Sequence, residues 1–106
     1  PDVSPYYAAS LILKRSEPRD FCPDEIEAIQ QYDADNNSEL LLTLEKYLYY
    51  VDDPVSAAKS LNIHRNTLLY RINKIKELTG LDLSNGDERF KVQLYLKLAQ
   101  YHKNTN

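Results

Sequence analysis

The stretch Ala57-Ala58-Lys59-Ser60-Leu61-Asn62-Ile63-His64-Arg65-Asn66-Thr67-Leu68-Leu69-Tyr70-Arg71-Ile72 decides the fold. Ala57 and Ala58 are small, as residues must be where two helices cross closely. Leu61 and Ile63 bracket a turn as apolar plugs. Asn62 stands in the turn itself, where a positive φ is needed, and after glycine Asn tolerates that conformation best. The pattern reads as a helix-turn-helix. In its second helix Leu68, Ile72 and Ile75 share one face, and Asn66, Tyr70 and Asn73 point the opposite way. Thr67 and Lys74 lie on one flank, with Arg71 closer to the buried face.

The outward stripe carries the hydrogen-bonding groups that read a DNA duplex. Arg pairs bidentately with guanine, Asn with adenine, and the Thr methyl touches the thymine methyl. In such motifs the first turn of the second helix makes the base contacts. Arg65, Asn66 and Thr67 are therefore the candidate base readers, with His64 at the helix entrance. Tyr70, Arg71, Lys74 and Lys59 are placed for phosphates, which fix register without reading sequence. Each residue also has a plainer reading. Tyr70 can be an ordinary surface tyrosine and Arg71 a partner for the acidic body of the same chain. His64 can simply cap the helix, and the Thr67 hydroxyl can support the turn.

Around this core, the sequence predicts further helices. Ser4 to about Lys14 is a short one with Leu11 and Leu13 as anchors, followed by a polar loop from Arg15 to Phe21. Pro23 to Tyr32 is the next, with Ile26 and Ile29 inward and acids in its first turn, where the macrodipole favours them. Asp33-Ala34-Asp35-Asn36-Asn37 reads as a turn. Ser38 then caps a strong amphipathic helix to about Tyr50, its face formed by Leu41, Leu44, Leu48 and Val51 and widened by Leu40 and Tyr47. Asp53 caps a helix from Pro54 to Leu61. Arg65 to Thr79 follows, and Gly80 sits where a left-handed C-terminal residue belongs. Asn85-x-x-Glu88 resembles a capping box and opens a last helix to about His102.

That last segment is two-faced. Phe90, Val92, Leu94, Leu96 and Leu98 alternate with polar residues, which is a strand signal. No second run exists to pair with it, and a lone strand cannot satisfy its backbone. As a helix it is apolar on two sides, Phe90, Leu94, Leu98 and Tyr101 on one and Val92, Leu96 and Ala99 on the other, and so is buried on both. The second ridge, with tyrosines such as Tyr49, Tyr50 and Tyr95, either meets a partner subunit or packs under the N-terminal helix of the same chain.

Composition bounds the rest. The chain has 106 residues, 42% hydrophobic and 27% charged, as expected for one globular domain. Only two glycines and three prolines placed as helix openers (Pro5, Pro23, Pro54) favour helices over turn-rich sheets. The single cysteine, Cys22, excludes an internal disulfide framework and fits a reducing cytosol. No apolar run approaches the roughly 18 residues of a membrane span. The chain opens at Pro1 without Met, which predicts a piece of something longer. A net charge of −3 argues against indiscriminate nucleic-acid binding, so the distribution matters more than the sum. Glu17 to Asp53 holds eleven acids and two bases; Lys59 to Lys76 holds five bases and no acid. The basic island coincides with the proposed recognition helix, and an acidic body would turn DNA away from the other faces.

Leu41-Leu42-Thr43-Leu44, Tyr47-Leu48, Ala57-Ala58, the run from Leu61 to Ile72 and Ile75-x-x-Leu78-Thr79-Gly80-Leu81-Asp82-Leu83 together resemble the C-terminal helix-turn-helix domain of PucR/CdaR-type bacterial transcriptional regulators. The resemblance covers about Asp33 to Leu98, and His-Arg-Asn-Thr-Leu-x-Tyr-Arg is its most specific part. The motif itself is similar to the Fis type, which implies that Arg65, Thr67 and the positions of Tyr70 and Lys74 face DNA. Two positions depart from the pattern: Asn85-Gly86 stands where the family often has Asp-Pro, and Asn62 where Fis-type motifs usually have Gly. Such regulators carry an N-terminal sensory region that this sequence does not contain.

The expectation is thus an all-α fold, a compact domain of about six helices with no sheet, containing a Fis-like helix-turn-helix. Residues 1–37 would form N-terminal helices and a linker, and residues 38–106 the DNA-binding domain, with the recognition helix at about 64–79 in the major groove of double-stranded DNA. The alternative is a helical protein–protein or dimerisation module without direct DNA contact. No enzyme is expected: Cys22, His64 and His102 match no catalytic signature, there are too few Cys and His for a metal site, and no glycine-rich phosphate loop marks a cofactor. The expected setting is the cytoplasm, away from membranes. The full-length regulator is expected to be a homodimer, and this chain alone monomeric or weakly dimeric.

Overall fold

The computed structural model describes residues 4–105, so the opening Pro1 lies outside the described residues. Among the described residues six α-helices run in order: α1 (Pro5–Ile12), α2 (Asp24–Asn36), α3 (Leu40–Tyr49), α4 (Pro54–Ser60), α5 (Arg65–Thr79) and α6 (Gly86–Thr105). A 3-10 turn at Pro18–Phe21 interrupts the segment expected to be plain loop. No strand occurs among the described residues, and Phe90 to Leu98 is helical, as the missing partner strand requires.

The helix starts follow local chemistry. Ser4 accepts the Tyr6 backbone N–H at 3.2 Å, with Pro5 opening α1. Asp53 accepts the Ser56 N–H at 3.1 Å, with Pro54 opening α4. Asn85 Oδ1 accepts the Asp87 and Glu88 N–H groups at the head of α6. Proline fits there because the first helical N–H groups have no partner inside the helix.

The start of α3 is built differently from the sequence expectation. The Asp33–Asn37 cluster is not a turn: α2 continues through Asn36 and ends on Asn37, whose φ of 51° is left-handed. Ser38 does not cap α3. The cap comes from Asp33, one turn back inside α2, whose carboxylate accepts the Leu40 and Leu41 backbone N–H groups at 2.9 and 3.0 Å and the Ser38 hydroxyl at 2.6 Å. A charged acceptor satisfies two orphan donors at once, and its negative charge suits a helix N-terminus.

The main core joins Ile26 and Ile29 of α2, Leu40, Leu44 and Leu48 of α3, Ile72 and Ile75 of α5, and Val92 and Leu96 of α6, closed by Leu81 and Leu83. Each such side chain is worth about 1.5–3 kcal/mol when fully buried. Leu98 is buried too, outside that cluster, and α1 and the 3-10 turn pack against α6. Val92 and Leu96 of the second ridge are thus covered by the main core and not by the N-terminal helix, and Leu98 is the buried residue of the first. Three anchors differ from expectation. Ala9, not Leu11, is the buried residue of α1, which packs against α6. Val51 is exposed, since α3 stops at Tyr49 and the chain turns through Asp52 at φ 55°, while the polar Thr43, outside the expected apolar face, is fully buried. Phe90 is exposed, one turn into α6.

Candidate nucleic-acid interface

α4 and α5 form the helix-turn-helix. Ala57 and Ala58 are buried with Leu68, flanked by half-buried Leu61, Ile63, Tyr47 and Tyr50. Alanines let the two backbones approach closely; a longer side chain would hold them apart. The turn is closed by the Ile63 and Leu61 N–H groups donating to the Ala58 carbonyl, both at 3.1 Å. Asn62 takes a φ of 55°, the left-handed turn residue the sequence called for.

α5 begins on His64. The Asn66 backbone N–H donates to His64 Nδ1 at 3.1 Å, so the ring caps the helix. With Nδ1 accepting, the neutral ring carries its proton on Nε2, which is left as a donor. At the far end Gly80 adopts φ 70° and donates its N–H to the Lys76 carbonyl at 2.8 Å. Both boundaries of α5 fall where the sequence puts them.

Leu68, Ile72 and Ile75 are buried and pin α5 to the protein. His64, Arg65, Asn66, Thr67 and Tyr70 are all exposed along its N-terminal half, and so is Lys59 at the end of α4. Asn73 continues the exposed stripe. The stripe stays free of acid until Glu77. Two of the eight candidate side chains sit deeper. Lys74 is half-buried, its ammonium 5.6 Å from the centre of the Tyr32 ring on α2. Arg71 is half-buried, its Nη1 donating to Thr43 Oγ1 on α3 at 3.2 Å. Its partner is a hydroxyl of the core and not a carboxylate of the acidic body. Neither Tyr32 nor Thr43 was legible as a partner, because both pairings span distant parts of the chain.

A polar, acid-free helix face held out by a buried apolar face, over a closely crossed supporting helix, defines a helix-turn-helix domain. Residues 40–98 match the PucR C-terminal helix-turn-helix domain, and the chain belongs to that family. It is 48% identical to the carbohydrate diacid regulator of Escherichia coli over 66 residues, 62% of this chain and 17% of that protein. It is 40% identical to the proline-responsive transcriptional activator PutR of Bacillus subtilis over 98 residues, 92% of this chain and 23% of that protein. It is 39% identical to the DNA-binding transcriptional activator AdeR of Bacillus subtilis over 70 residues, 66% of this chain and 17% of that protein. The chain thus spans about a fifth of the length of these relatives. No solved structure matches it significantly. Among the described residues no helix is long and apolar enough to cross a membrane.

Proposed function

We propose that this domain binds specific DNA sequences for a cytoplasmic bacterial transcription regulator, with α5 lying in the major groove. The exposed, acid-free N-terminal half of α5 carries this reading. Arg65, Asn66 and Thr67 read base edges from its first turn, with His64 beside them. Lys59, Tyr70 and Lys74 hold phosphates on either side. Residues 38–106 make the DNA-reading unit, and residues 1–37 lead into it and brace it through α1 and α2. A single helix-turn-helix buries too little DNA surface for tight selection at physiological salt, so two copies occupy half-sites about one helical turn apart. In the whole regulator the pairing is a homodimer held largely by parts outside this chain.

Salt titration of duplex binding tests the reading. Neutralised phosphates release counterions, so affinity falls steeply and log-linearly with salt. Arg65→Ala should cost roughly 1–3 kcal/mol on the preferred site and relax specificity there, while Lys59→Ala should weaken all sequences alike and lower the salt slope by about one. Equal loss on preferred and random duplexes for both variants would refute the division of roles.

A further inference from the structure

Thr43 is fully buried in α3, and its hydroxyl does two things. It donates to the Glu39 carbonyl one turn back at 2.8 Å, and it accepts from Arg71 Nη1 of α5 at 3.2 Å. With its one proton spent on the Glu39 carbonyl, the hydroxyl can only accept from other groups, and the Arg71 guanidinium is the donor it meets. The contact crosses from α3 to α5 between residues 28 apart in sequence. It lies on the flank of α5, between the buried stripe of Leu68, Ile72 and Ile75 and the row that carries Thr67 and Lys74. That is where a contact best resists rotation of the helix about its own axis. Apolar packing alone resists it less, since dispersion is non-directional whereas a hydrogen bond from a planar fork is not.

From this geometry we infer that Arg71 is a positioning residue of the DNA-binding face: it sets the rotation of α5 on α3 through Thr43, and does not neutralise a phosphate. The inference rests on the reading of α5 as the DNA-contacting helix. The size of the effect follows from helix dimensions. Side-chain tips lie about 6 Å from a helix axis, so a rotation of about 20° moves them roughly 2 Å, beyond the tolerance of a hydrogen bond to a base edge. Loss of the Thr43–Arg71 contact therefore blurs base reading by Arg65, Asn66 and Thr67 while leaving phosphate contacts, which tolerate more displacement, largely intact.

The experiment is a double-mutant cycle on Thr43→Val and Arg71→Met, read on a duplex selected from a random pool by the wild-type chain and on a random-sequence duplex. Urea unfolding of each variant ensures that binding is measured on fully folded protein, which removes any effect of stability alone. Thr43→Val keeps the shape of the side chain and remains informative should Arg71→Met fail to fold. Either single change is expected to weaken binding to the selected duplex about five- to tenfold and to lower the ratio of selected to random affinity. The double variant should be no worse than the weaker single one, and the salt slope should stay at the wild-type value. A phosphate-binding Arg71 would instead lower the salt slope by about one on both duplexes, with Thr43→Val silent, and that result overturns the inference. Additive losses overturn it too. If the wild-type chain selects no duplex at all, the DNA reading fails first and the inference falls with it.

Discussion

Replacing Asp33 by alanine removes the whole cap of α3 in one step. Its carboxylate accepts two backbone N–H groups at 2.9 and 3.0 Å and the Ser38 hydroxyl at 2.6 Å from a half-buried site. Loss of an N-cap side chain costs about 0.5–2 kcal/mol, and hydrogen bonds to a charged group are worth about 1.5–3 kcal/mol each. Water reaches part of the site and recovers part of the loss, which brings the expected destabilisation to about 2–4 kcal/mol. For a domain of this size that lowers Tm by roughly 10–20 °C. Asp33→Asn keeps an acceptor oxygen and should cost about half as much. Ser38→Ala removes only one of the three bonds and should cost about 0.5 kcal/mol. Urea unfolding followed by circular dichroism at 222 nm gives all three values. A loss below about 0.5 kcal/mol for Asp33→Ala, or a larger one for Ser38→Ala, would refute the capping account.

His64→Asp should separate fold from function: Asp caps better and suits the positive end of α5, adding about 0.5–1 kcal/mol of stability, yet an anion at the helix entrance should cost DNA affinity more than about tenfold. Parallel thermal melts and anisotropy titrations check it, and a joint rise or fall would contradict it. Ala57→Leu forces a branched side chain into a fully buried crossing and should destabilise by about 1–3 kcal/mol or more, measured by urea unfolding. Three carboxyls are held below their usual range: Glu25 by its own backbone N–H and the Lys91 ammonium, Asp53 by the Ser56 hydroxyl and N–H, and Asp82 by the Ser84 hydroxyl and N–H. Because the folded pKa lies below the unfolded one, their stabilisation is whole above about pH 4.3 and is lost as pH falls through the folded values. Tm should hold from neutral pH to about 5 and decline below about 4, and Glu25→Gln with Asp53→Asn and Asp82→Asn should flatten that decline.

The parts of the fold that the sequence made legible are those decided within a few residues. α5 begins and ends where His64 and Gly80 say, Asn62 takes its left-handed turn, and Asp53 caps α4. Local chemistry is enough for these, because each partner lies within one helical turn. What sequence could not supply was set across the chain. Asp33 looked like a turn residue because its role depends on α3 folding back over the end of α2. Val51 matched the apolar period of α3 yet lies past its end, where Asp52 breaks the helix. Leu11 is the apolar residue the sequence offers as an anchor, yet α1 turns Ala9 inward, and which side of so short a helix is covered depends on where α6 lies. The outward stripe of the candidate site followed from helical period alone. The inward turn of Arg71 to Thr43 and the seat of Lys74 over Tyr32 did not, since long side chains on a flank can reach either way.

The central claim is that the exposed face of α5 reads DNA sequence. Selection of bound duplexes from a random pool, run in parallel with the wild-type chain and with Arg65→Ala, tests it most directly. The account predicts that the wild type enriches a defined half-site, that the enriched duplexes carry two copies of it about one helical turn apart, and that Arg65→Ala loses preference at one base position while still binding. No enrichment by the wild type, or the same enriched sequence from both proteins, would contradict it.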